Sequence, residues 1–212
     1  PGLIPIERMP IALRTDWVHN SNDSFFYTHP AQKFEGISPL VGDARLTRPR
    51  TRAGLAEIPE MLGRGKVTLQ GMQEQLFQNR NFMASVIVPD LRAACAQAPS
   101  NEAREGCAAL QGWNLRNEVD ARGAHVFREF WRNARNIPGV YRVPFNPEQP
   151  VATPAGLKMD DAAVAAKVWG ALETAVKAIR AAGFALDAPL GSVQRPAITE
   201  APIALHGGDE FE

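Results

Sequence analysis

The chain has 212 residues, of which 45% are hydrophobic and 22% charged, with 23 Lys and Arg against 23 Asp and Glu. This composition is close to that of an average soluble domain and excludes a disordered or fibrous chain. The net charge of zero gives no electrostatic reason to expect nucleic acid or an anionic membrane as a partner. No apolar run approaches the roughly 18 residues of a membrane span.

Residues 1–60 are rich in Pro, Gly, Asn and Asp and show no helical period. Short extended pieces and an aromatic group at Phe25, Phe26 and Tyr27 predict strands and long ordered loops. The first residue is Pro1, and neither a Met nor a signal peptide opens the chain. We therefore expect the sequence to be part of a longer one.

The middle of the chain has the apolar spacing of helices. Thr68 is a candidate N-cap for a helix whose apolar face would pack in the core, formed by Leu69, Met72, Leu76 and Phe77. Further apolar stripes predict helices around residues 83–91, 123–135 and 160–182, the last ended by Gly183. After Gly183 the chain shows β-like pieces at residues 192–193 and 203–205.

The only two cysteines, Cys95 and Cys107, lie 12 residues apart and lack the spacing of a metal site. One interpretation is a pair of unrelated buried thiols. The other is a disulfide across a helical hairpin, because a helix end at residues 90–97 and the N-cap Ser100 flank a short turn. The local pattern favours the disulfide, which would indicate an oxidising compartment.

Common catalytic signatures are missing, and the four histidines have no ligand spacing, so we expect no metal and no cofactor. The loop at residues 19–24 (HNSNDS) remains as a candidate site. It could be a turn rich in Asx caps. Alternatively, one of its amides points into a pocket as a neutral donor to an oxyanion.

A basic cluster follows at residues 48–52 (RPRTR). Its arginines could form a solvated face. Alternatively, one guanidinium could fix the HNSNDS loop through a forked hydrogen bond.

These motifs closely resemble the β-subunit of the penicillin acylase family, nearest to its acyl-homoserine-lactone and cyclic-lipopeptide (aculeacin-type) acylases. The resemblance rests on NSNDS at 20–24, HPAQ at 29–32, GISPLV at 36–41 and PRTR at 49–52. It continues through CAAL at 107–110 with Trp113, FNP at 145–147, TPAG at 153–156 and GGD at 207–209, and so spans almost the whole chain.

The resemblance implies an N-terminal-nucleophile hydrolase that cuts itself into a small α-chain and a large β-chain. A Ser at the new β-chain N-terminus would attack the substrate, with its own α-amino group as general base. On the family's pattern the oxyanion Asn falls on Asn22 and its supporting Arg on Arg50, with Arg52 as the register alternative. Members with the cysteine pair are typically periplasmic or secreted, which agrees with a Cys95–Cys107 disulfide.

This sequence departs from the family at its start, because no Ser, Thr or Cys occurs before Thr15. The nucleophile would lie upstream, so we expect the chain alone to be inactive. Its expected partners are a small acyl amide substrate, the rest of its β-chain and an α-chain from the same precursor.

The predicted fold is α+β, with a partial αββα core at both ends and a mainly helical middle. Residues 1–60 would hold core strands and the site, residues 61–190 the helices and cysteines, and residues 191–212 a truncated return to the β core. A rival hypothesis is a non-catalytic, disulfide-clipped helical interaction domain of an exported protein. Within the enzyme class, a penicillin substrate in place of long-chain amides stays open.

Overall fold

The structure, a computed structural model, describes residues 2–41, 46–196, 203–209 and 211–212. In the described part before residue 49 the backbone forms 3-10 turns at Ile6–Arg8 and Phe25–Tyr27 and is otherwise irregular. The strands that the sequence analysis expected there are not found in residues 2–41 and 46–48.

Helix α1, Pro49–Gly63, begins inside the region that was expected to hold strands and loops. Pro49 suits the first helical position, where its fixed φ is favourable and no N–H is needed. The sequence analysis did not predict this helix, because two of its three buried residues are polar: Thr51 and Arg52, with Leu55 as the third. The polar residues in the first turns and Pro59 in the second half obscure the apolar pattern expected of a helix.

Helix α2, Leu69–Phe77, begins after the predicted N-cap Thr68, whose hydroxyl accepts a hydrogen bond from the Gly71 N–H. The expectation that its apolar face packs in the core is wrong for the described chain. The side chains of that face are exposed, at 78% for Leu69, 49% for Met72, 71% for Leu76 and 58% for Phe77.

Four further helices form the core: α3 at Phe82–Ala94, α4 at Asn101–Gln111, α5 at Ala124–Ala134 and α6 at Ala162–Ala181. Helices α5 and α6 pack against each other, and α4 packs on α6. At Gly106 of α4 an added Cβ would lie 2.8 Å from the Leu172 side chain, so glycine permits the close approach of these two helices. The predicted helices at residues 123–135 and 160–182 are confirmed.

Side chains cap three of these helices, as their sequences require. Asn81 accepts from the Ala84 N–H at the start of α3, and Ser100 accepts from the Ala103 N–H at the start of α4. Asp161 accepts from two N–H groups of α6. Each cap satisfies donors that the first helical turn leaves without a partner.

A short antiparallel ladder joins β1, Tyr141–Val143, to β2, Ala155–Leu157, with Tyr141 opposite Leu157. It lies on α3, where the Asp90 carboxylate accepts from the Leu157 N–H at 2.8 Å and from the Arg142 guanidinium at 2.9 Å. A mixed helical fold with a small sheet is compatible with the α+β prediction.

The end of the described chain contains the short helix α7, Leu190–Val193. The expectation of a β-like piece at residues 192–193 is wrong, because these residues complete a helical turn in which the Gln194 N–H donates to the Leu190 carbonyl. Residues 203–205, also expected to be β-like, belong to no strand, and the Leu205 N–H donates to the Gln194 carbonyl. The division of the chain at residues 60 and 190 stays a prediction.

Candidate active site

The HNSNDS loop is a closed turn held by its own polar groups. The His19 N–H donates to the Thr28 carbonyl at 2.8 Å, and the Asn22 N–H donates to Asn20 Oδ1 at 2.7 Å. Asn22 has a φ of 55°, in the left-handed region that Asn enters more readily than most residues. The Asx-turn interpretation of the loop is therefore correct in its geometry, and it does not compete with the functional one.

The loop lies on the N-terminus of α1. Asp23 Oδ2 accepts from the Arg48 N–H at 2.9 Å and from the Thr51 hydroxyl at 2.9 Å. A carboxylate at this position satisfies one of the helix's unpaired N–H groups and interacts favourably with the positive end of the helix dipole.

The structure brings the predicted pair Asn22 and Arg50 together. Arg50 Nη2 donates to Asn22 Oδ1 at 3.4 Å, and both side chains are exposed. Because this bond uses the acceptor atom of the Asn22 amide, the NH₂ group is left to donate elsewhere. Whether Arg50 supports Asn22 during a reaction stays a prediction.

The register alternative, Arg52, has a different environment. It is 3% exposed, and its Nε and Nη2 donate to the Val151 carbonyl at 3.1 and 3.0 Å. Its guanidinium also lies 5.1 Å from the ring centre of Phe82. Burial lowers the pKa of Arg52. The structure therefore places Arg52 in the packing between α1, α3 and residue 151.

Cys95 and Cys107 form a disulfide, as the local pattern favoured. The bond connects the 3-10 turn Cys95–Gln97, directly after α3, to the middle of α4. Both cysteines of the chain are used in it.

A buried ion pair that sequence analysis missed holds the end of the chain. Arg128 Nε donates to Glu212 Oε1 at 2.8 Å, and the two side chains are 17% and 4% exposed. Asn117 donates to Glu212 Oε2 at 3.0 Å. Burial raises the pKa of Glu212, against the opposing effect of Arg128. No local signal predicts this contact, because its two charges lie 84 residues apart.

A cavity of about 350 Å³ lies beside the N-terminus of α1. Its lining includes Arg48, Arg52 and Tyr141, and Arg135, whose guanidinium lies 3.5 Å from the ring centre of Phe211. The sequence analysis gave no site role to Arg135, Tyr141 or Phe211, because they lie far along the sequence from residues 48–52.

Among the described residues, no group of three or more His, Cys, Asp or Glu side chains is placed to hold a metal ion. Within the same part of the chain, no helix combines the length and apolarity needed to cross a membrane.

Comparison with known proteins places this sequence in a family. The sequence matches the Penicillin amidase family over residues 1–211, so the chain belongs to that family. It is 31% identical over 212 residues to the acyl-homoserine lactone acylase PvdQ of Pseudomonas syringae pv. syringae, covering 98% of this chain and 27% of that protein.

Two further relatives extend the comparison. The acyl-homoserine lactone acylase PvdQ of Pseudomonas putida is 32% identical over 196 residues, which are 92% of this chain and 25% of that protein. Aculeacin-A acylase of Actinoplanes utahensis is 33% identical over 171 residues, which are 73% of this chain and 21% of that protein. The chain thus spans about a quarter of the length of the curated relatives that it matches.

Proposed function

We propose that this chain supplies the oxyanion-binding amide of an N-terminal-nucleophile amide hydrolase, with Asn22 as the donor and Arg50 as its support. The observation that carries the proposal is the Arg50–Asn22 hydrogen bond of 3.4 Å in a chain of the penicillin amidase family. A neutral NH₂ group held in place by its own carbonyl oxygen can stabilise developing negative charge without exchanging a proton.

The nucleophile in this proposal is a Ser in a part of the protein outside this chain. Its hydroxyl oxygen bonds to the carbonyl carbon of the substrate amide, while its proton passes to the Ser α-amino group. The carbonyl oxygen becomes an oxyanion and accepts from the Asn22 NH₂ group and a backbone N–H. The C–N bond then breaks, the proton goes to the leaving amine, and water releases the acyl chain as an acid.

The proposed substrates are small amides that carry an acyl chain. The names of the relatives support this class, since they are acylases of acyl-homoserine lactones and of aculeacin A. A penicillin is the alternative substrate within the same family.

The proposed assembly contains the rest of the β-chain and an α-chain from one precursor. Residues 1–60 and 191–212 would join the αββα core of that assembly, and residues 61–190 would form its helical region. We place the protein in the periplasm or outside the cell. The Cys95–Cys107 disulfide supports this location, because such bonds persist in oxidising compartments.

The test is replacement of Asn22 in the full-length protein by Ala and by Gly. Gly keeps the left-handed backbone that residue 22 adopts at a φ of 55°, so it separates loss of the amide from backbone strain. Loss of one oxyanion donor costs roughly 10²–10³ in kcat, and we expect both variants to show it. The measurement is kcat on an N-acyl amide, with the fraction of processed, folded enzyme determined in parallel.

The matched control is Asn79→Gly, since Asn79 also has a positive φ of 50° and bonds to His206 away from the HNSNDS loop. It should keep the wild-type kcat. If Asn22→Gly also keeps it, the oxyanion assignment is wrong. If the full-length wild-type protein itself turns over no acyl amide, the disulfide-clipped interaction domain becomes the better explanation.

A further inference from the structure

The HNSNDS loop touches α1 a second time, through a histidine ring against a glycine. A Cβ added at Gly54 would lie 2.1 Å from His19 Nε2 and 2.7 Å from His19 Cδ2. The edge of the imidazole therefore rests directly on the helix backbone, at a distance that only glycine permits. A methyl group added at residue 54 would therefore have to displace the half-buried imidazole.

His19 is also bonded to the residue next to Asn22. Its Nε2 lies 2.9 Å from Ser21 Oγ, and its backbone N–H donates to the Thr28 carbonyl at 2.8 Å. Burial lowers the pKa of His19 and so favours the neutral ring, which shares a hydrogen bond with the Ser21 hydroxyl. The ring thus connects the backbone of α1 to residue 21.

The residue on the other side of Asn22 is bonded to the same helix. Asp23 accepts from the Arg48 N–H and from the Thr51 hydroxyl, both at 2.9 Å. Asn22 therefore lies between two residues that are each held on α1, and α1 also carries Arg50. Both the backbone and the amide oxygen of Asn22 are positioned by a single helix.

We infer that His19, resting on Gly54, is a positioning residue for the Asn22 amide, an inference that depends on the proposed function. His19 does not touch the reacting atoms in this account. It fixes the orientation of the loop before substrate binds, so that the donor needs no reorganisation when the oxyanion forms. A displacement of about 1 Å in such a group can cost roughly 10²-fold in rate.

The first experiment is Gly54→Ala in the full-length protein. The added methyl group displaces the imidazole, so kcat should fall roughly 10- to 100-fold while KM changes less than about threefold. The control is Gly63→Ala in the same helix, where an added Cβ meets nothing within 4 Å. Gly63→Ala should keep the wild-type kcat and KM.

The second experiment tests whether the effect passes through the ring. If Gly54→Ala acts by displacing His19, then His19→Ala/Gly54→Ala should be no slower than His19→Ala alone, within about twofold. His19→Gln, which can still bond to Ser21, should retain more kcat than His19→Ala. If Gly54→Ala does not fold, the inference is tested by comparing the kcat of His19→Ala and His19→Gln with that of the wild type. Equal kcat in His19→Ala, His19→Gln and the wild type would overturn the inference.

The third measurement separates this inference from the proposed function. In an Asn22→Gly background the Gly54→Ala change should have no further effect on kcat, because the amide that it displaces is gone. If Asn22→Gly is slow but Gly54→Ala is not, only the positioning role fails. If Asn22→Gly has wild-type kcat, the proposed function fails first.

Discussion

Arg50 and Arg52 are two residues apart on α1, and side chains at this spacing point to different faces of a helix. Arg50 is exposed and reaches Asn22, whereas Arg52 is buried and donates to the Val151 carbonyl. Arg50 thus has the contacts expected of a residue in the candidate site, and Arg52 has those of a residue in the packed interior. Substitution of each should give a different kind of defect.

We expect Arg50→Ala to lower kcat about 10-fold with little loss of stability, since an exposed hydrogen bond contributes little to folding. Arg52→Ala should instead cost about 1–3 kcal/mol of stability, because it leaves the Val151 carbonyl without its donor. The measurements are kcat per folded molecule and thermal midpoint for both variants. Arg64→Ala, at the exposed end of α1, is the control. A slow but fully stable Arg52→Ala would favour the alternative register.

At the scale of elements, the disulfide joins α4 to the turn that follows α3. Its short loop limits the conformations of the unfolded chain, and bonds closing loops of this size stabilise proteins by about 3 kcal/mol. Cys107 is 4% exposed, so its replacement should be small and apolar.

The variant Cys95→Ala/Cys107→Ala in the full-length protein should therefore unfold its helical region below the wild type, by on the order of 10 °C if that region melts as a domain of its own. The measurement is thermal unfolding with and without dithiothreitol. Reductant should lower the wild-type midpoint and leave the variant unchanged. Equal midpoints for the oxidised wild type and the variant would mean that the bond contributes nothing to stability.

The helices also show what sequence pattern can and cannot predict. Helices α5 and α6 were predicted nearly to the residue, because their apolar faces face one core. Helix α1 was missed, because its buried face is largely polar. The prediction that α2 has an apolar face was correct, but the prediction that this face lies in the core was wrong. The spacing of apolar residues in a sequence does not show which part of the protein packs against them.

The candidate site was predictable to a different degree. The Asx turn of the HNSNDS loop follows from local residue types. The pairing of Asn22 with Arg50 came from the family resemblance, since a contact over 28 residues leaves no local trace. The contact of His19 with Gly54 was not predicted, because it depends on where an unpredicted helix lies.

At the scale of the whole molecule, the Arg128–Glu212 pair connects α5 to the last described segment. Arg128 also donates to the Gly207 carbonyl at 3.0 Å, and the Trp131 indole donates to the Phe211 carbonyl at 2.9 Å. Since Phe211 lines the cavity beside α1, this pair helps to form the wall of that cavity.

Glu212→Gln should loosen residues 203–209 and 211–212, because Arg128 would keep its charge without the carboxylate that balances it. Since the Arg128 side chain is 17% exposed and keeps its bond to the Gly207 carbonyl, we expect a cost of about 1–3 kcal/mol. The measurement is hydrogen exchange of peptides covering that segment in the full-length protein. The control is Glu105→Gln, which breaks a pair with Arg180 whose side chains are 46% and 50% exposed. Equal protection in both variants would show that the buried pair does not hold the segment.

The left-handed backbone at residue 22 also limits which single-base changes of its codon give a residue that fits there. Among the residues reached from an Asn codon by one base change, Asp and His enter this backbone region most readily. Neither carries a neutral NH₂ group. Gly and Gln, which supply the conformation and the amide respectively, each require more than one base change. Single-base mutation therefore gives this position no route to a residue that keeps both properties.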